Sequence, residues 1–303
     1  MGPRVIRVGT RGSALARVQT DAVVNALQAA HPRLRIEVVP ITTSGDRTQH
    51  INAPGAGWGS GVFVKELEEA LLANRIDLAV HSLKDVPPRL TDGLALIAIP
   101  SRADPRDALV TLDGRAVEDL ASGARIGTSS ARRAAFLQAV RSDLRVVPIR
   151  GNVETRLRKL SQGQYDGIVL ACAGLERLQL EAPHVVLEPT LLPPAPGQGA
   201  LALEARADDR ELSELASALD DLPTRTAVRA ERRLMARLEG GCRFPVGALG
   251  TPWPADQLEL LGGLQRQDGQ VVLERRLGRM DAPDELADQL AELLQSVPIG
   301  STT

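Results

Sequence analysis

The run Ile76-Asp77-Leu78-Ala79-Val80-His81-Ser82 is apolar at most consecutive positions, not at alternate ones. A strand of that kind is apolar on both faces and has to be covered on both, which strands alternating with helices achieve. Its flanks agree with that reading. Residues 62–75, "VFVKELEEALLANR", repeat apolar positions at helical spacing, and "LKDVPP" after it closes in two prolines.

The same alternation covers most of the chain. Residues 4–8 read as a strand, "GTRGS" as a turn, and Ala14 to Ala30 as a helix with Leu15, Val18, Ala22, Ala26 and Leu27 on one face, capped by Ser13. A strand follows at 35–41. A second set comprises strand 125–127, helix 131–141, strand 145–149, helix 152–161 and strand 165–171. The pattern predicts an α/β fold with largely parallel pairing. Residues 42–61, "TTSGDRTQHINAPGAGWGSG", are glycine-rich and aperiodic and are read as a mobile lid. The C-terminal third differs: an Arg/Glu-rich helix over 223–239, two or three strands between 246 and 279, and an amphipathic helix over 284–295 suit a small α+β domain. At 303 residues the chain exceeds what one core usually supports, so two or three domains are expected.

Composition narrows the partners. Of 36 cationic side chains only Lys65, Lys84 and Lys159 are lysines, yet the net charge is −2. An arginine-rich chain with a balancing acidic surface can hold a local positive cleft. Nucleic acid is not an expected partner, because aromatic side chains are only 2% and leave little to stack on bases. No apolar run reaches the length of a membrane span, and "MGPRVIRVGTRGSALA" lacks a signal-peptide core, so a cytoplasmic location is expected. Cys172 and Cys242 stand far apart with no CxxC, which gives neither a zinc pattern nor a disulfide framework.

Three polar clusters fall at strand-to-helix turns: "GTRGS" with Arg11 and Ser13, "GTSSARR" with Thr128, Ser129, Ser130, Arg132 and Arg133, and "RGNVETR" with Arg150 and Arg156. Singly, each reads as helix capping beside a solvated arginine. Together they suit a small polyanion, carboxylate or phosphate, although no GxxxxGK[ST] phosphate loop is present. In "HSLKDVPP", Asp85 suits charge stabilisation or proton transfer and Lys84 an anion contact, against the alternative of a surface turn. Cys172, in "GIVLACAGL", reads as a buried small hydrophobe. Cys242, in "LEGGCRFP", follows two glycines that clear space around its sulfur; it reads as a nucleophile or covalent attachment point, against an incidental thiol.

In order, "TRGSALARVQT", "SGD", "GVFVKELEEALLANRIDLAVHSLKDVP", "PRDALV", "GTSSARR", "RGNVETRLRKL", "DGIVLACAGLERL", "PGQGAL" and "LEGGCRFPVGA" closely resemble the porphobilinogen deaminase (hydroxymethylbilane synthase) family. The resemblance runs from about residue 4 to 250. It implies two type II periplasmic-binding-protein-like domains with a central cleft, plus a small C-terminal α+β domain. The implied divisions are 1–99 with 199–219, 100–198, and 220–303. It further implies a monomer joining four porphobilinogen molecules head to tail, with release of ammonia, into hydroxymethylbilane. The growing chain would sit on a dipyrromethane cofactor held by a thioether to Cys242, and no metal is implied.

On the same resemblance Asp85 is the catalytic aspartate, stabilising the electron-poor azafulvenium left when ammonia departs. Arg11, Arg132, Arg133, Arg150, Arg156 and Arg177 would face the acetate and propionate groups of the pyrroles, with Ser13, Ser82, Lys84, Thr128, Ser129 and Ser130 as further contacts. Bidentate guanidinium–carboxylate pairing suits arginine to that task. Two departures stand out. Phe136 occupies a position where the family commonly has glutamine, which predicts a local packing change, and residues 251–303 match least well. A solute-binding protein would use the same two-lobed cleft with Asp85 and Cys242 incidental, and a thiol hydrolase would need a base for Cys242 that the sequence does not supply.

Overall fold

The computed structural model describes residues 4–43, 64–239 and 245–296. Along the chain, β1 (Val5–Arg11), α1 (Ala14–Ala30), β2 (Arg35–Ile41), α2 (Lys65–Leu72), β3 (Leu78–Ser82) and β4 (Leu94–Ala98) come first. There follow β5 (Asp107–Val110), β6 (Arg125–Gly127), α3 (Ala131–Val140), β7 (Arg145–Val147), α4 (Val153–Ser161), β8 (Gly167–Ala171), α5 (Cys172–Arg177) and β9 (His184–Leu187). Then come β10 (Leu201–Arg206), α6 (Arg210–Ala216), α7 (Leu222–Glu239), β11 (Val246–Trp253), β12 (Gln257–Gln265), β13 (Val271–Arg279) and α8 (Pro283–Ser296). Most of the stretch expected to form a lid, residues 44–61, and Cys242 lie outside the described residues.

Contacts divide the chain into two units. The first takes Met1–Ala103, Arg177–Gln179 and Gly199–Arg225; the second takes Asp104–Glu176, Leu180–Gln198 and Thr226–Thr303. In the first, five strands lie in the order β2-β1-β3-β10-β4. β1 pairs in parallel with β2 and β3, whereas β10 runs antiparallel to both β3 and β4. In the second, the order is β7-β6-β8-β5-β9, with β6 parallel to β7 and β8 and β5 antiparallel to β8 and β9. Both sheets thus share one pattern, a parallel core with one reversed strand in the fourth place. The expectation of largely parallel pairing needs that correction: a reversed strand is inserted by a distant part of the chain, so its direction leaves no local mark.

Side-chain alternation explains how each five-stranded sheet is covered. Leu78 and Val80 of β3 join Ile6, Val8, Val23 and Leu27 on one face, while Ala79 joins Leu67, Ala70, Leu71 and Ile76 of the α2 side on the other. In the second unit, Leu109, Ile126 and Val169 face the core of α3, and Ala108, Val110, Ile168 and Leu170 face that of α4. A third core lies between the antiparallel sheet β11-β12-β13 and the helices α7 and α8, with Leu234, Leu238, Leu258, Leu260, Leu286, Leu290 and Leu294. Among the described residues no helix is long and apolar enough to cross a membrane.

The one charge inside the opening run, Asp77, is 5% exposed and anchors the first unit. It accepts from the Arg7 backbone N–H at 3.0 Å, from Arg7 Nε at 3.0 Å and Nη2 at 2.9 Å, and from Arg206 Nη2 at 3.0 Å. Burial alone would raise its pKa; the bonds from Arg7 and Arg206 outweigh burial and hold it at about 2. The carboxylate's contribution to stability is therefore present above its unfolded value near pH 4 and is lost as pH falls from there through about 2. Asp77→Asn is expected to lower stability by about 3 kcal/mol at pH 7 and to flatten the stability profile between pH 4 and 2 in urea titrations. Equal stability of the two proteins at pH 7 would contradict this role.

Phe136 is 2% exposed and packs in the core of α3 with Leu109, Ile126 and Leu144. Its ring reaches the β12 sheet so closely that a Cβ on Gly263 would lie 2.8 Å from it. Phe136 thus makes a tight contact inside the second unit. Phe136→Ala should cost about 3 kcal/mol in chemical denaturation; a loss under about 1 kcal/mol would show that the contact is dispensable.

Candidate functional site

The sequence-predicted residues divide between the two units, and each group is built by strand ends. In the first unit β1 and β3 run in parallel, so Arg11 and Ser82 leave the sheet at the same edge. Ser13 caps α1, its Oγ accepting from the Ala16 N–H at 3.3 Å. Ser82 is held by the buried Gln19, whose Nε2 donates to Ser82 Oγ at 3.0 Å. After Ser82 the chain makes a single 3-10 turn, Leu83–Asp85, fastened by the Leu83 N–H on the Ala200 carbonyl at 3.0 Å. That turn leaves Lys84 exposed and Asp85 half-buried. No hydrogen bond among the described residues engages the Asp85 carboxylate, so its charge is available to an external cation. Arg177, at the end of α5, donates from Nη2 to the Gly199 carbonyl at 2.7 Å in this unit.

In the second unit the turn after β6 is stitched to the segment after β7. Thr128 N–H donates to the Val147 carbonyl, and Ser129 Oγ donates to the Ile149 carbonyl at 2.8 Å while accepting the Ile149 N–H at 3.1 Å. Thr128 Oγ1 accepts from Ser130 N–H at 3.1 Å, and Ser130 caps α3 by accepting from Arg133 N–H. The capping reading therefore accounts for one acceptor on Ser13 and Ser130; each hydroxyl keeps its own O–H as a donor.

The two arginines that open α3 are buried, Arg132 at 6% and Arg133 at 7% exposure. Both pair with Asp107, from Arg132 Nη2 at 2.8 Å and Arg133 Nη2 at 2.6 Å. Burial lowers the Arg132 pKa and Asp107 opposes the shift. Burial would likewise raise Asp107, but the two guanidinium groups hold its carboxyl well below the usual carboxylate range. Arg133 Nε is buried without a hydrogen-bond partner among the described residues. Arg156, on α4, is half-buried and donates from Nε to the Gly151 carbonyl at 2.8 Å. Burial first and the Arg133 charge second depress its pKa to about 10. One carboxylate thus serves two arginines while a third cation lies close enough to be repelled. A cluster with that surplus of positive charge is stabilised by an added anion. Arg150, between β7 and α4, accepts Lys159 Nζ on its carbonyl at 3.0 Å.

Asp107, Gln198 and Glu231 were not singled out by sequence reasoning, although "PRDAL" and "PGQGAL" contain the first two. The only available signal was an acid leading a short apolar run. Cys172 is 8% exposed, and burial pushes its thiol up to about 11, as an inert packing residue requires. It opens α5 and does not sit within a strand.

The chain matches two family models: "Porphobilinogen deaminase, dipyromethane cofactor binding domain" over residues 6–214, and "Porphobilinogen deaminase, C-terminal domain" over residues 225–301. The porphobilinogen deaminase of Roseiflexus sp. (strain RS-1) is 51% identical over 290 residues, 95% of this chain and 94% of that one. The chain belongs to the porphobilinogen deaminase family. Two further relatives of that name agree, from Brevibacillus brevis at 44% identity over 95% of this chain and 93% of that one, and from Desulforudis audaxviator at 46% over 98% and 96%. Among solved structures, the VFT2 domain of Bordetella pertussis BvgS aligns at 19% identity and a TM-score of 0.43, covering 71% of this chain and 86% of that one. The shared sheet order, not that likeness, defines the porphobilinogen deaminase fold here as α/β with a small C-terminal α+β part.

Proposed function

We propose that this chain joins four porphobilinogen molecules head to tail, releasing one ammonia from each, and hydrolyses the product off as linear hydroxymethylbilane. The single observation that carries the reading is the surplus of guanidinium charge near Asp107, where Arg132 and Arg133 share one buried carboxylate and Arg156 lies close enough to feel the Arg133 charge. Each pyrrole of the substrate bears an acetate and a propionate, the anions such a cluster binds bidentately. Arg11, Arg150 and Arg177 are assigned to further carboxylates, with Ser13, Ser82, Lys84, Thr128, Ser129 and Ser130 as supporting donors.

Asp85 is assigned the chemistry. As ammonia leaves, positive charge develops on the substrate pyrrole, and a carboxylate that takes part in no hydrogen bond among the described residues stabilises it and moves protons. The turn that presents Asp85 is fastened where it begins, by Gln19 on Ser82 and by the Ala200 carbonyl on the Leu83 N–H. The cationic cluster fits a dipyrromethane, whose side chains are carboxylates, and Cys242 is the residue assigned to hold it by a thioether. Bound there, the group supplies the primer on which the product is built. We read the three sheets as three domains, 1–99 with 199–219, 100–198, and 220–303, in a monomeric cytoplasmic enzyme that needs neither nucleic acid nor metal.

The test is to incubate the purified chain with porphobilinogen and to measure ammonia and linear tetrapyrrole together. One ammonia per porphobilinogen consumed, with hydroxymethylbilane accumulating, is expected. Binding without consumption would instead identify a solute-binding protein.

A further inference from the structure

Asp107 is the first residue of β5 and is fully buried. Besides Arg132 and Arg133 it accepts from Gln198 Nε2 at 2.8 Å. Each partner is fixed a second time. Arg132 Nη1 donates to the Pro193 carbonyl at 2.5 Å, Arg133 Nη1 to the Val169 carbonyl at 2.8 Å, and Gln198 Nε2 also to the Pro105 carbonyl at 2.8 Å. The loop that carries Gln198 is held in turn by Glu231 of α7, itself fully buried. Glu231 Oε2 accepts the Gly197 N–H at 2.7 Å and Oε1 the Gly250 N–H of β11 at 2.8 Å.

Two adjacent buried guanidinium groups repel each other and are stable side by side only with a shared counter-charge. One carboxylate is enough to fix their forks but leaves the trio with a net positive charge. It also leaves Arg133 Nε–H as a buried donor with no acceptor among the described residues. We propose that Asp107 is a positioning residue for the reaction: it fixes the forks of Arg132 and Arg133 so that this surplus charge meets substrate carboxylates, with Gln198 fixing Asp107. It touches neither substrate nor cofactor and acts through the arginines. The claim rests on the function proposed above.

The experiment compares the wild type with Asp107→Asn and Gln198→Leu, all as full chains. Circular dichroism reports folding, intact mass reports the fraction carrying a covalent two-pyrrole group, and KM and kcat for porphobilinogen are measured per loaded enzyme. Asp107→Asn should raise KM by roughly tenfold or more, the order of one lost charge-assisted bond, lower the loaded fraction, and change kcat much less. Gln198→Leu should raise KM by roughly threefold. A folded Asp107→Asn protein with wild-type KM and loading overturns the proposal. If Asp107→Asn does not fold, an unchanged KM in Gln198→Leu overturns it. A wild type that is unloaded and inactive would instead defeat the proposed function, which separates the two failures.

Discussion

Replacing Asp85 by asparagine is expected to lower turnover of porphobilinogen by roughly 10²-fold or more while leaving the protein folded and its KM nearly unchanged. The two halves of this expectation have separate causes. The carboxylate takes part in no hydrogen bond among the described residues and lies half-buried at the end of a short turn. Removing its charge therefore breaks no hydrogen bond among the described residues, and stability should stay within about 0.5 kcal/mol of the wild type. What is lost is the negative charge facing a cation that exists only as ammonia departs, and such a loss appears in kcat and not in KM. The contrast with Asp77 sharpens the point. That aspartate is saturated by Arg7 and Arg206, so its amide variant should lose stability, whereas Asp85→Asn should lose rate. Turnover within a few-fold of the wild type would remove Asp85 from the chemistry.

A larger effect is expected for Cys242→Ala, which should carry no covalent pyrroles and show no measurable synthesis of hydroxymethylbilane. Cys172 cannot take over the attachment. Its thiol is buried with a pKa pushed up to about 11, so little thiolate forms at neutral pH, and its place at the start of α5 is a packing position. The variant should still present the arginine cluster, because Asp107 and backbone carbonyls hold Arg132 and Arg133, and the Gly151 carbonyl holds Arg156. Residual binding of porphobilinogen without turnover is thus the expected behaviour. A covalent adduct recovered on another residue, or full activity without one, would refute the assigned anchor.

Several local features of this fold were legible in the sequence because local chemistry sets them, although the buried face of α1 was not: Gln19, Thr20, Val23 and Leu27 are buried there, whereas Val18, Ala22 and Ala26 are exposed. Ser13 and Ser130 cap their helices as their position before a periodic run requires, and the buried character of β3 follows from the consecutive apolar residues Leu78, Ala79 and Val80. The reversed strands β5 and β10 were not legible. They are four and six residues long, and their direction is decided by partners far away in the chain. The site shows the same division. Arginines and hydroxyls at strand ends announce an anion site, but Asp107 is given its role by residues 25, 26 and 91 positions away. Glu231 sits in an Arg/Glu-rich helix, yet it is fully buried and accepts two backbone N–H groups. A buried carboxylate and a surface one look alike in a sequence until the fold supplies the donors.

Intact-mass analysis of the purified chain, before and after brief exposure to limited porphobilinogen, tests anchored polymerisation most directly. The account predicts a two-pyrrole addition on the Cys242 peptide before exposure and a ladder of further single-pyrrole additions after it. A chain that keeps its bare mass throughout, even while binding porphobilinogen, would contradict it.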